Sequence, residues 1–196
     1  MTRIIGGDDG GRRIKTPPGD ATRPTSDRVR EALFSLLEAR YGVLDHLGFL
    51  DLYAGSGAIG LEAASRGASW VVGVESDRRT AAVARDNALS LASDVDIVVQ
   101  PVAAFLAQPA STRVDVVYLD PPYPLTEDDL ARDLALLVEH GWLADGALVI
   151  VERSRRSPEP TWPAGLEPLA GKRRLKKYGE THLWLAEAAP TASLAP

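Results

Sequence analysis

A chain of 196 residues, 45% hydrophobic and 25% charged, is long enough to fold as one domain around a full core. It has no cysteine, which excludes disulfides, thiolate metal sites and cysteine nucleophiles together; its three histidines (His46, His140, His182) are scattered, so no metal site is expected. The net charge of −5 argues weakly against a nucleic-acid partner, but that charge is unevenly spread along the chain.

Residues 1–30 hold seven Arg/Lys against four Asp. Residues 2–15 read as two short strands, near 3–5 and 12–15, joined by Gly6-Gly7-Asp8-Asp9-Gly10-Gly11. So small a hairpin has little core of its own. The expectation is a basic arm over residues 1–20, mobile in the free protein and carrying Arg3, Arg12, Arg13 and Lys15, for which a nucleic-acid face and a plainly solvated surface both stay open. The opening residues lack the apolar core of a signal peptide, and no apolar run reaches the ~18 residues of a membrane span. A cytoplasmic protein without membrane contact is therefore expected. Thr25 or Ser26 is placed to cap a helix carrying Val29, Ala32, Leu33, Leu36 and Leu37 on one face. Arg23, Arg28 and Arg30 around its start complement a helix N-terminus poorly; an anionic partner or plain solvation would each explain them.

The main domain is expected over residues 21–186. Residues 50–54 read as a strand, followed by Gly55-Ser56-Gly57-Ala58-Ile59-Gly60 and a helix to about Arg66. Glycines at this spacing between strand and helix let the backbone approach a ligand closely, beside the free N–H groups of the helix start. A second strand over 69–74 ends at Glu75, twenty residues after Gly55, where a carboxylate is placed to accept both hydroxyls of a ribose. A helix over 78–91, a strand over 95–99 and a short helix over 102–106 follow.

The apolar run 114–119 reads as a buried strand that must leave the sheet at Asp120-Pro121-Pro122-Tyr123, because successive prolines continue neither a ladder nor a helix interior. A stiff turn with a carboxylate, carbonyls lacking local donors and an aromatic ring suits a planar group bearing an NH2. A turn whose prolines merely end a strand is the plainer alternative. Beyond it come an amphipathic helix over 127–139, a strand over 147–152, a Pro-rich loop over 154–170 and a closing hairpin, 175–178 with 181–185. Residues 187–196 are expected to be a disordered tail. Lys172, Arg173, Arg174, Lys176 and Lys177 form a second basic block, open to a solvated or a nucleic-acid-facing role. Alternating strands and helices make a doubly wound, mostly parallel α/β sheet with an antiparallel strand from the last hairpin. The four tryptophans are expected to be packing residues.

The glycine motif and Glu75 are shared with dinucleotide enzymes. Two features separate this chain from them: Asp51 inside the first strand, and Asp-Pro-Pro-Tyr after the fourth, for which hydride transfer has no use. The latter resembles the [Asp/Asn/Ser]-Pro-Pro-[Tyr/Phe] motif of amino-methyltransferases. A closer likeness lies in Arg3-Ile4-Ile5-Gly6-Gly7, Gly11-Arg12-Arg13, the run from Thr22-Arg23-Pro24-Thr25 to Phe34, Leu50-Asp51-Leu52-Tyr53-Ala54-Gly55-Ser56-Gly57 and Lys177-Tyr178-Gly179. These resemble the bacterial ribosomal RNA small-subunit methyltransferase D family over residues 3 to 185.

That resemblance implies a class I S-adenosylmethionine-dependent methyltransferase fold with a small N-terminal β-hairpin extension. It implies methylation of the exocyclic N2 of a guanine in 16S rRNA, guanine 966, on naked RNA or a small-subunit particle, by a monomer without metal. The cofactor, S-adenosyl-L-methionine, would lie against Asp51, Tyr53, Ala54, Gly55, Ser56, Gly57, Glu75, Ser76, Val102, Ala103 and Asp120. Asp120, Pro121, Pro122 and Tyr123 would be catalytic, with Arg3, Arg12, Arg13, Lys15, Arg23, Thr25 and Arg28 on RNA. Val102 stands where related enzymes commonly have an Asp for the adenine amino group, so backbone atoms near Val102–Ala103 would read adenine instead. A methyltransferase acting on DNA adenine or a protein glutamine, or a non-catalytic RNA-binding assembly factor, would share these motifs.

Overall fold

In the computed structural model, which describes residues 1–17 and 26–190, the first strands are no free arm. β1 (Thr2–Arg3) and β2 (Arg13–Ile14) pair antiparallel, and Ile4, just after β1, and Ile14, within β2, are 0% and 1% exposed. The turn between them sits on the last residues of helix α2 (Ala58–Ser65). There the Asp8 N–H donates to the Ser65 carbonyl at 2.8 Å, and the Ser65 hydroxyl donates to the Gly6 carbonyl at 2.7 Å. Gly7 has φ +78°, and a Cβ there would run into the Ser65 carbonyl, so this close seat admits glycine alone. The expected mobility fails because apolar area was the wrong measure: the hairpin is held mainly through its backbone N–H groups.

Their acceptor is Glu62, wholly buried in α2, which takes the N–H groups of Ile5 (2.7 Å) and Gly6 (2.8 Å) and the Nε–H of Arg66 (2.8 Å). Arg30, in α1 (Asp27–Tyr41), is also 0% exposed, with its Nε 3.6 Å from Glu62 and its Nη2 donating to the Arg3 carbonyl. Its partners are therefore internal, not an external anion or bulk water. Ser26 caps α1 by accepting from Val29 N at 3.3 Å; Thr25 and Arg23 lie outside the described residues.

The chain divides into two units, Met1–Phe105 and Leu106–Pro196. In the first, β3 (Gly48–Leu52), β4 (Trp70–Glu75) and β5 (Asp96–Val99) are parallel in the order β5-β4-β3. α2 and α3 (Arg78–Leu91) make the crossovers; α3 is capped by Asp77, which accepts from Thr80 N at 2.7 Å. β3 stops at Leu52, two residues short of expectation, because Tyr53 turns to a φ of 64°. The division falls inside α4 (Val102–Leu106).

In the second unit β6 (Val114–Leu119) lies parallel to β7 (Leu143–Ser154), after the crossover helix α5 (Glu127–Glu139). Val116 to Leu119 and Leu148 to Val151 are completely buried, as their unbroken apolar runs demand. β10 (Thr181–Ala188) pairs antiparallel with β7, and also with β8 (Leu166–Pro168) and β9 (Leu175–Tyr178). β8 falls where a structureless loop was expected. The final strand runs to Ala188, past the expected start of the tail, and residues 191–196 lie outside the described residues. Among the described residues no helix is long and apolar enough to cross a membrane, and no group of three or more His, Asp or Glu could hold a metal ion.

Candidate active site

In the first unit the site residues gather at the C-terminal ends of β3 and β4. Asp51 is 2% exposed and its Oδ2 accepts from the Gly60 N–H at 2.9 Å, which fixes the start of α2 against β3. Burial raises its pKa to about 7, assisted by the nearby charge of Glu75 and opposed by the Gly60 hydrogen bond. Glu75, half-buried, uses both oxygens: one accepts from Gly55 N at 3.0 Å and the other from Asp77 N at 2.8 Å. Each carboxylate oxygen keeps a second lone pair, so these bonds shape the loop and leave capacity for hydroxyl donors. Gly57 takes φ +79° as the N-cap of α2, and the Ala54 N–H donates to the Val74 carbonyl at 3.0 Å. A Cβ at Gly55 would meet nothing within 4 Å, so the backbone there faces open space. Tyr53 is half-buried and Ser76 exposed. Val102 is buried (4% exposed) at the start of α4, and Ala103 beside it is half-buried.

In the second unit Asp120 is half-buried at the end of β6, Pro121 is buried, Pro122 exposed, and Tyr123 is 75% exposed. An aromatic ring that far in water is uncommon for packing residues. The expectation of carbonyls without local donors fails for Pro122, whose carbonyl accepts from the Leu125 N–H at 2.9 Å and closes the turn. Upstream in β6, the buried Tyr118 donates its hydroxyl to Glu152 of β7, anchoring the strand that presents the turn.

The expected RNA-binding cations are not equivalent. Arg12 donates to Asp9 and to the Ser90 and Leu91 carbonyls at the end of α3, so its guanidinium caps a helix. Arg3 lies 3.7 Å from Asp27 and Lys15 3.2 Å from Asp86, both in exposed pairs. Arg13 and Arg28 are exposed.

The family described as Conserved hypothetical protein 95 matches residues 2–187. Ribosomal RNA small subunit methyltransferase D of Escherichia coli strain K12 is 39% identical over 181 residues, covering 90% of this chain and 88% of that one. The Haemophilus influenzae protein of the same name is 36% identical over 160 residues, 80% of each chain. This chain belongs to the ribosomal RNA small-subunit methyltransferase D family. The solved structure of Escherichia coli yhhF superposes with a TM-score of 0.82 at 34% identity, covering 97% of this chain and 99% of that one. A Thermus thermophilus hypothetical protein, TTHA0928, gives 0.75 at 31%, covering 97% and 100%. The fold is that of class I S-adenosylmethionine-dependent methyltransferases.

Two residues escaped sequence reasoning. Asn87 of α3 is 1% exposed; its Nδ2 donates to the Ser56 carbonyl (3.0 Å) and the Lys15 carbonyl (2.9 Å), while its Oδ1 accepts from Lys15 N (2.8 Å). It thereby ties the glycine loop to the hairpin. Glu62 is the other. Both are polar residues on the apolar face of a helix, Asn87 among Ala84, Ala88 and Leu91, and that misfit of periodicity was the available signal.

Proposed function

We propose that the chain methylates the exocyclic N2 of a guanine in 16S rRNA, guanine 966 in the family's usual target, using S-adenosyl-L-methionine. The observation that carries this reading is the Asp120-Pro121-Pro122-Tyr123 turn, with its carboxylate half-buried and its tyrosine 75% exposed, on a chain of this family. The residues present suit the cofactor: open space beside Gly55, a half-buried Glu75 with acceptor capacity, and small residues from Ala54 to Gly57. Bound there, S-adenosylmethionine supplies an electrophilic methyl group on a sulfonium. Asp51 holds the loop through Gly60, Glu75 holds Gly55 and accepts the ribose hydroxyls, and the backbone near Val102 and Ala103 meets the adenine.

The guanine amine is a poor nucleophile because its lone pair is delocalised into the ring. Asp120 and the Pro121 carbonyl accept its two hydrogens, favouring a pyramidal nitrogen and stabilising the positive charge that develops on it. Tyr123 stacks on the base, drawn out of its RNA context. The departing proton goes to solvent, so no dedicated base is required. Arg3, Arg13, Lys15 and Arg28 are solvent-facing cations available to RNA, whereas Arg12 is committed to α3. The test is mass mapping of 16S rRNA from cells lacking this protein, with methylation restored by the purified chain. A full complement of N2-methylguanine in the deletion strain overturns the reading.

A further inference from the structure

In the first unit Arg12 is committed to helix carbonyls and Arg30 to Glu62, Arg3 and Lys15 stand in exposed pairs with Asp27 and Asp86, and Arg13 and Arg28 face solvent. The second unit carries a separate set. β9 pairs with β10 alone among the described strands, so it is an edge, and its register sets Lys177 opposite His182 and His182 opposite Arg153. Residues opposite one another across a ladder share a face. Arg153 is engaged by Glu127 and Arg155 by Glu180, the latter at 3.0 Å. Among the described residues Arg156, Lys172, Arg173 and Lys177 are exposed and take part in no ion pair. The pKa of His182 is lowered, first by burial and then by the charges of Lys177 and Arg155, which reports the positive field at this row.

We propose that the β9 edge of the second unit, with Lys172 and Arg173 just before the strand and Lys177 and Arg156 toward its other end, grips the phosphate backbone of the substrate RNA. An unneutralised cation on an otherwise acidic protein is steeply favoured beside phosphate, where each contact releases condensed counterions. Edge lysines also serve merely to stop strands from pairing with other chains, and the experiment must separate these roles. The inference rests on the rRNA reading above.

The full chain is titrated with a 16S rRNA transcript over a range of NaCl concentrations. Compared are wild type, the triple variant Lys172→Ala/Arg173→Ala/Lys177→Ala and the charge-keeping Lys172→Arg/Lys177→Arg. In the triple variant the slope of log affinity against log salt should fall by about 0.7–0.9 for each phosphate left unneutralised, roughly 2–3 in all. Its S-adenosylmethionine affinity and melting temperature should match wild type, and the charge-keeping variant should retain the wild-type slope. A triple variant with the wild-type slope overturns the inference and leaves the lysines as edge protection. If wild type methylates rRNA under those conditions, only this surface assignment is overturned. Salt-independent RNA binding by wild type overturns both the surface and the rRNA reading.

Discussion

Asp51, Glu75 and Asp120 are all carboxylates, yet their surroundings give them different work. Asp120, half-buried beside an exposed Tyr123, faces substrate in the proposed reaction. Asp120→Ala should therefore slow single-turnover methylation by roughly 10²–10³ while leaving cofactor affinity within a few-fold; near-normal transfer would remove it from the mechanism. Glu75→Ala deletes the acceptor for Gly55 and Asp77 and, in the proposed site, the acceptor for the ribose hydroxyls. Calorimetry should show S-adenosylmethionine weakened by about 1.5–3 kcal/mol, and an unchanged affinity would move the ribose elsewhere. Asp51 has a folded pKa of about 7, raised by burial above its ordinary 3.8. The folded state thus binds its proton more tightly than the unfolded state does. Its contribution to stability is complete below pH 3.8 and is lost as pH rises through about 7. Asp51→Asn, which keeps an acceptor for Gly60, should flatten the fall in melting temperature between those limits; an unaltered pH profile would show that another group titrates.

At the level of elements, the decisive junction is the hairpin on α2. One buried carboxylate, Glu62, faces two backbone N–H groups and two guanidinium groups, of Arg66 and Arg30. Burying charge is costly, and breaking such a set leaves the remaining charges uncompensated. Glu62→Ala should lower unfolding free energy by about 3–5 kcal/mol in urea titrations, a loss on the scale of a whole small domain's margin. Removing residues 1–15 should destabilise the chain as well, since Ile4 and Ile14 are buried and Asn87 bonds to Lys15. The same Asn87 bonds to Ser56, so hairpin and glycine loop share one anchor. Truncation with an unchanged urea midpoint would contradict this packing.

For the molecule as a whole, the two units differ in what they offer a ligand. The first carries Asp51, the glycine loop and Glu75; the second carries the Asp120 turn and the exposed cations around Lys172 and Lys177. A ligand that binds only the native state stabilises it by mass action. S-adenosylhomocysteine at about 100 times its dissociation constant should add roughly 2.7 kcal/mol and raise the melting temperature by about 5–10 °C. If the units melt separately, the shift belongs to the transition of residues 1–105. No shift at saturating ligand would contradict a cofactor site on the glycine loop.

The parallel strands, the glycine turn with Asp51 and Glu75, and the Asp-Pro-Pro-Tyr exit were legible in the chain because each is a local signal. Apolar runs of strand length, glycines at a set spacing and paired prolines constrain the backbone within a few residues. The turn at Gly179 is also of this kind. The fate of the basic residues was not legible. Arg12, Arg13, Arg28 and Arg30 look alike along the sequence. Yet one caps a helix 78 residues away, one is buried against a glutamate 32 residues on, and two face water. Whether a cation grips an anion outside the protein or one within it depends on which long-range partner reaches it first. That is set by how the hairpin seats on α2 and α3, which only the tertiary structure decided.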